Sequence, residues 1–200
     1  MDHLPIRAIP AEKQSEPCAL MVVEIDGTMS PRIKEEAGIR GRESLKQPTE
    51  YKECNVIAIE KRRHGERVDR WVGAQYGQRL GFDRYAGQTG MQMGQLQADA
   101  VVFIADGSKH NWEIQQTNFH GSVGILDFYH AAEHLGAFCE LYKNSQAGKQ
   151  AYARWRTLLS EGRSLQVLED MKALLYTKLS APEEGVKHIN YFRNNVAYGV

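Results

Sequence analysis

Apolar positions follow two regimes along the chain. Up to about residue 129 they mostly form short runs rich in β-branched side chains, with one weak helical stretch near 83–98, and beyond that they recur at helical spacing. Residues 19–26, ALMVVEID, read as a buried strand closed by a carboxylate. YKECNVIAIEKR, 51–62, alternates, with Cys54, Val56 and Ala58 on one face and Ile57 and Ile59 on the other. Arg63-His64-Gly65-Glu66 supplies a turn, and RVDRWVGAQYG, 67–77, returns with Val68, Val72, Ala74 and Tyr76 sharing a face. The two runs predict a hairpin. From about Asp83 to Ala98 the period is helical but diluted by Gly87, Gly90 and Gly94. That spacing suits a helix face packed closely on the sheet. A phosphate loop is the sharper alternative, but no strand feeds directly into these glycines.

DAVVFIAD, 99–106, is the most apolar strand, and GSVGILDFY, 121–129, is a further short one. A helix begins near His130. AGKQAYARWRTLLSEG and SLQVLEDMKALLYTKLS are two more, separated by Glu161-Gly162-Arg163, with Ser164 as N-cap and Pro182 opening a last helix. The predicted order is strand, hairpin, helix, strand, strand, then helices, an α/β arrangement. Residues 1–18 are polar, carry Pro5, Pro10 and Pro17, and read as a flexible lead-in without the apolar core of a secretion signal. Residues 30–50, rich in charge, Gly and Pro, read as a long excursion.

Composition narrows the function classes. No run approaches the roughly 18 apolar residues of a membrane helix. Cys18, Cys54 and Cys139 are too far apart and odd in number for a disulfide framework or a cysteine zinc site, which fits a reducing cytoplasm. The 25 basic and 25 acidic residues cancel, which argues against a dedicated DNA-binding module but not against a catalytic core with an acidic centre.

Two constellations carry chemistry. The two most apolar strands each end in Asp-Gly, at Asp26-Gly27 and Asp106-Gly107. If these strands lie side by side and parallel, both carboxylates emerge at one sheet edge, where open α/β sheets bind ligands. Adjacent strands lie about 4.8 Å apart and paired catalytic metals about 3.5–4 Å apart, so two such aspartates suit a shared metal site. A glycine after each Asp permits a sharp turn and keeps bulk away from a phosphate. Asp-Gly is also a common turn dipeptide. Glu24 shares the Asp26 face, as an edge charge or an outer carboxylate. The second constellation is Asp127 with His130, Glu133 and His134, one turn apart on a helix. His130-x-x-Glu133-His134 formally matches an inverted zinc-protease signature, which needs a third ligand. The plainer alternative is a helix start capped by Asp127.

In order along the chain, Val23-Glu24-Ile25-Asp26-Gly27-Thr28, Phe103-Ile104-Ala105-Asp106-Gly107 with Trp112, and Ile125-Leu126-Asp127-Phe128-Tyr129-His130-Ala131-Ala132-Glu133-His134-Leu135 resemble bacterial insertion-sequence transposases of the Kra group, within the DDE superfamily. The last stretch is the most specific. The resemblance covers roughly residues 19–195. It implies an RNase H-like mixed five-stranded sheet with flanking helices (19–130), followed by a helical insertion (131–200). It implies Asp26 and Asp106 as catalytic residues holding two Mg²⁺ or Mn²⁺ ions for phosphoryl transfer on double-stranded DNA. Gly27, Gly107, Asp127, His130, Glu133 and His134 would support that site. The family's third carboxylate, a Glu in a Gly-Ser-Gly-x-x-Glu-type segment, has no match before Val200. That implies a fragment or a remnant. Lys149, Arg154, Arg156 and Arg163 are candidates for phosphate contacts or simply a solvated face, and Trp112 for the core. A homo-oligomer is expected by analogy. Alternatives are an RNase H-like nuclease, a zinc-dependent hydrolase using His130, Glu133 and His134, and a catalytically dead transposase remnant.

Overall fold

The computed structural model describes residues 17–32, 50–76, 79–176 and 183–200. Five strands form one mixed sheet: β1 (Leu20–Arg32), β2 (Glu50–Arg63), β3 (Glu66–Tyr76), β4 (Ala100–Ala105) and β5 (Val123–Leu126), in the order β3-β2-β1-β4-β5. β1 with β2 and β2 with β3 are antiparallel, and β4 with β5 is parallel. The flanking helices are α1 (Arg79–Gln92), α2 (Lys109–Asn118), α3 (Phe128–Glu140), α4 (Gln146–Ser160), α5 (Ser164–Leu175) and α6 (Glu183–Asn195). This is the α/β, RNase H-like class expected. Among the described residues no helix is long and apolar enough to cross a membrane.

The chain divides into two compact units, 1–101 with 117–120, and 102–116 with 121–200. In the first, β1 contributes Met21, Val23 and Ile25, β2 contributes Ile57 and Ile59, and β3 contributes Trp71, all buried. Ile25 pairs Ile57 and Val23 pairs Ile59, which pairs Trp71, so these residues share one face of the antiparallel sheet. Gly73 belongs to that face. A Cβ there would collide with the Tyr85 hydroxyl, so the glycine lets α1 lie close on the sheet. The expected face of Val68, Val72, Ala74 and Tyr76 is the outer one, with Val68 and Val72 about half exposed. These four do share a face, as read, and the single large Trp71 on the opposite face is the side chain that β3 buries.

In the second unit, α3 packs on α4 and α6, and α5 packs on α4 and α6. The buried residues recur every three or four positions: Ala131, Leu135 and Phe138; Trp155, Leu158 and Leu159; Val167, Leu168 and Met171; Ile189 and Phe192. Ser145 caps α4 by accepting from the Gly148 N–H at 2.9 Å.

Several boundaries differ from the expectations. β1 does not stop at residue 26. It runs on to Arg32 because β2 pairs it from Asn55 back to Glu50. The excursion read over 30–50 is therefore strand at its edges, and 33–49 lies outside the described residues, as do 1–16 and Pro182. α2 was not expected at all. α3 begins at Phe128 rather than near His130. Ser164 is the first residue of α5, not its cap; Arg163 stands at the cap without a side-chain bond. Gly87 and Gly90 of α1 face Asn118 and Phe119 rather than the sheet.

Candidate active site

Asp26 lies in the middle of β1, opposite Val56, and points to the exposed face, away from Met21, Val23 and Ile25. Its Oδ1 accepts from the Gly27 N–H at 2.7 Å. Gly27 stays in the strand, so the turn expected at this Asp-Gly does not form; cross-strand pairing with Asn55 outweighs the local turn tendency. Glu24 shares the Asp26 face and is exposed, as read.

At the second Asp-Gly the expected turn is present. β4 ends at Ala105, and Gly107 has φ +89°. A Cβ on Gly107 would stand 2.8 Å from Leu126 Cδ1 and 2.9 Å from Asn195 Nδ2. The half-buried Asp106 accepts at Oδ1 from the Ser108 N–H and from Asn111 Nδ2, both at 2.9 Å. Ser108 Oγ in turn accepts from the Asn111 N–H at 3.3 Å, which caps α2. With Oδ1 held by two donors, Oδ2 has no hydrogen-bond partner among the described residues. A carboxylate oxygen is the donor a hard cation such as Mg²⁺ takes, and zinc chemistry would prefer nitrogen or sulfur. The residues fit a magnesium-type ligand. Among the described residues, however, no group of three His, Cys, Asp or Glu side chains converges to hold a metal.

Tyr191 of α6 braces this corner by donating its hydroxyl to the Asp106 carbonyl at 2.9 Å. Burial, then the charges of Asp106, Asp127 and Glu133, push the Tyr191 hydroxyl far above its usual range, so it stays a donor. The His134 ring stacks on Tyr191, with centroids 3.7 Å apart and planes 8° apart. His134 Nδ1 meets His188 Nδ1 at 3.0 Å. Burial, then the charges of His188, Lys187 and His130, lower the His134 pKa to about 4, with Asp106 opposing. Burial also lowers that of His188, despite Glu184 3.7 Å from its Nε2. Both rings are neutral near pH 7, so one Nδ1–H donates to the other Nδ1.

Asp127 caps α3 as expected, accepting at Oδ1 from the His130 N–H at 2.8 Å, with His130 Nδ1 at 3.2 Å. The two imidazoles of His130-x-x-Glu133-His134 therefore take different partners, Asp127 and His188, and Glu133 is exposed. Of the basic residues, Arg154 pairs with Asp170 at 2.9 Å, Arg163 pairs with Glu161 at 3.2 Å, and Arg156 lies 5.2 Å over the Phe128 ring. The side chain of Lys149 lies outside the described residues. Trp112 is core, as read, stacked on Tyr198 at 3.8 Å.

Sequence reasoning missed Ser108, Asn111, His188, Tyr191 and Asn195. Asn195 is 2% exposed, accepts from Trp112 Nε1 at 2.6 Å and donates to the Tyr191 carbonyl at 2.9 Å. The signal was the stripe His188, Tyr191, Phe192, Asn195 at helical spacing, with Ser108 three residues before Asn111.

No family model matches the sequence, and no curated protein matches it either. Among solved structures, the chain is similar to the Drosophila P element transposase strand transfer complex over 94% of its own length, at 8% identity and a TM-score of 0.32. It spans about half of that chain, 51%.

Proposed function

We propose that the chain is the RNase H-like catalytic core of a DDE-type DNA transposase of the Kra group, with Asp26 and Asp106 as its metal-holding carboxylates. One observation carries the reading: in the strand order β3-β2-β1-β4-β5, the strand that bears Asp26 neighbours the strand that Asp106 follows. The order of the motifs along the chain, with Leu126 to Leu135 the most specific, supports the group assignment.

Bound Mg²⁺ or Mn²⁺ would polarise the scissile phosphate and lower the pKa of an attacking water or 3′-hydroxyl. The chain's own part is to orient its donors. Ser108 and Asn111 fix Asp106 Oδ1 and so aim Oδ2. Gly107 keeps side-chain bulk from the turn, and Tyr191 holds the Asp106 backbone. Asp127, His130, Glu133 and His134 start the helical region beside this corner rather than donate to an ion. The partner is double-stranded DNA, engaged by a homo-oligomer as in paired-end chemistry generally.

The test is nicking of supercoiled plasmid in Mn²⁺ by the full chain, with Asp26→Asn and Asp106→Asn. Each isosteric change should abolish nicking. Cleavage by either variant at the wild-type rate contradicts the assignment of these carboxylates.

A further inference from the structure

The β2–β3 hairpin closes with Arg63 opposite Glu66 through a two-residue loop, His64 and Gly65, at φ 52° and 82°. Left-handed values at both positions mark the tight hairpin turn that matches strand twist. A register shift at Lys61/Arg62 adds local twist. Over residues 60–70 the ribbon carries five basic residues (Lys61, Arg62, Arg63, Arg67, Arg70) against three acidic (Glu60, Glu66, Asp69), an excess of two in a chain whose net charge is zero.

Three of these arginines gather around one carboxylate on the outer face. Arg62 Nη2 meets Glu60 Oε2 at 3.0 Å, Arg67 Nη1 meets Glu60 Oε1 at 3.5 Å, and Arg70 Nε lies 3.7 Å from the same oxygen. One carboxylate thus gathers three guanidinium groups. The arginine side chains are 42%, 55% and 49% exposed, and Glu60 is 19% exposed. Burial works against ionisation of Glu60, but the hydrogen bonds and charges of Arg62 and Arg67 outweigh it and hold its carboxyl below the ordinary value.

The strand register locates this cluster relative to Asp26. Val22 pairs Glu60, which pairs Arg70; Glu24 pairs Ala58, which pairs Val72; Asp26 pairs Val56, which pairs Ala74. These three rungs share the outer face, where Glu24, Asp26 and Val72 are exposed. The face is acidic at the Asp26 end, small and apolar in the middle and basic at the hairpin end. Four residues along and two strands across put Arg70 about 16 Å from Asp26. At about 3.4 Å per base pair, that is roughly five steps of duplex.

We infer that the outer face of the β2–β3 hairpin, through Arg62, Arg67 and Arg70, holds the phosphate backbone of duplex DNA a few base pairs from the phosphate presented to Asp26. This rests on the proposed DNA chemistry for its partner. The fit is chemical: guanidinium forks bind phosphate oxygens bidentately, and a two-stranded ribbon matches the width of a DNA groove.

The test is fluorescence anisotropy of a labelled 20-base-pair duplex with the full chain, in EDTA, across 50 to 300 mM NaCl. Without metal, the assay does not depend on the carboxylate site, so its failure and that of the catalytic reading are told apart by the nicking assay. Loss of two phosphate contacts predicts that Arg62→Gln/Arg67→Gln/Arg70→Gln lowers the salt slope by about 2 and weakens binding about 60-fold at 0.1 M salt. The matching triple Lys variant keeps the charge and should bind within about fivefold of wild type, which separates phosphate attraction from a merely structural role. Binding by the Gln variant within twofold of wild type, loss of binding by the Lys variant, no duplex binding by wild type at 50 mM salt, or preference for single-stranded RNA would overturn the inference.

Discussion

His134 ties the helical region to the Asp106 corner, and its titration should be visible in the stability of the whole chain. In the folded state its pKa is lowered from 6.5 to about 4, chiefly by burial and then by the charges of His188, Lys187 and His130. A folded pKa below the unfolded value means that the unfolded chain binds the proton first. The neutral ring's contribution is fully present above about pH 6.5 and is lost as the pH falls toward 4. Linkage gives the size. At pH 5 the unfolded side chain is almost fully protonated and the folded one only about a tenth, a difference of about 2 kcal/mol. At pH 7 it is about 0.2 kcal/mol. His134→Gln keeps a hydrogen-bonding group toward His188 and removes the titration. Urea unfolding, followed by the fluorescence of Trp71, Trp112 and Trp155, should be measured for both proteins at pH 7 and pH 5. Other groups titrate in both, so the difference between the two pH-dependent losses reports His134 together with its bonded partner His188. Wild type should lose about 1 to 2 kcal/mol more than the variant. Parallel losses, within about 0.3 kcal/mol, would refute the account of the buried imidazole.

Gly107→Ala forces a side chain into a left-handed turn and against Leu126 and Asn195; it should cost about 2 to 4 kcal/mol in urea unfolding and alter Trp112 emission, because Asn195 holds the indole N–H. Asp127→Ala should cost about 1 kcal/mol through the lost cap of α3, and Asp127→Asn well under half of that; equal costs would contradict the cap.

The hairpin was legible because its turn dipeptide and its alternation are both local. Which face it buries was not, since that depends on one tryptophan and on Tyr85 arriving over Gly73. The continuation of β1 through Gly27 to Arg32 has no local signature either; it is imposed by β2. α2 escaped notice because two of the residues it buries, Asn111 and Gln115, are polar and are satisfied by Asp106 and by Ser122. Its Ser108 cap was the readable clue. At the candidate site the two Asp-Gly pairs looked alike in sequence, yet one is a turn and the other a strand. Asp127 acted as read because a helix cap is a short-range interaction. His188, Tyr191 and Asn195 reach Asp106, Trp112 and His134 across more than 50 residues, a distance that single-sequence patterns do not carry.

The central claim is that Asp26 and Asp106 serve the same ions. Titrating Mn²⁺ into the ¹⁵N-labelled chain tests it most directly, through paramagnetic broadening of the Gly27 and Gly107 amide signals. The account predicts that both signals broaden together at the same Mn²⁺ concentrations, and that Asp26→Asn or Asp106→Asn each relieves both. Broadening of one without the other, or at clearly different concentrations, would contradict it.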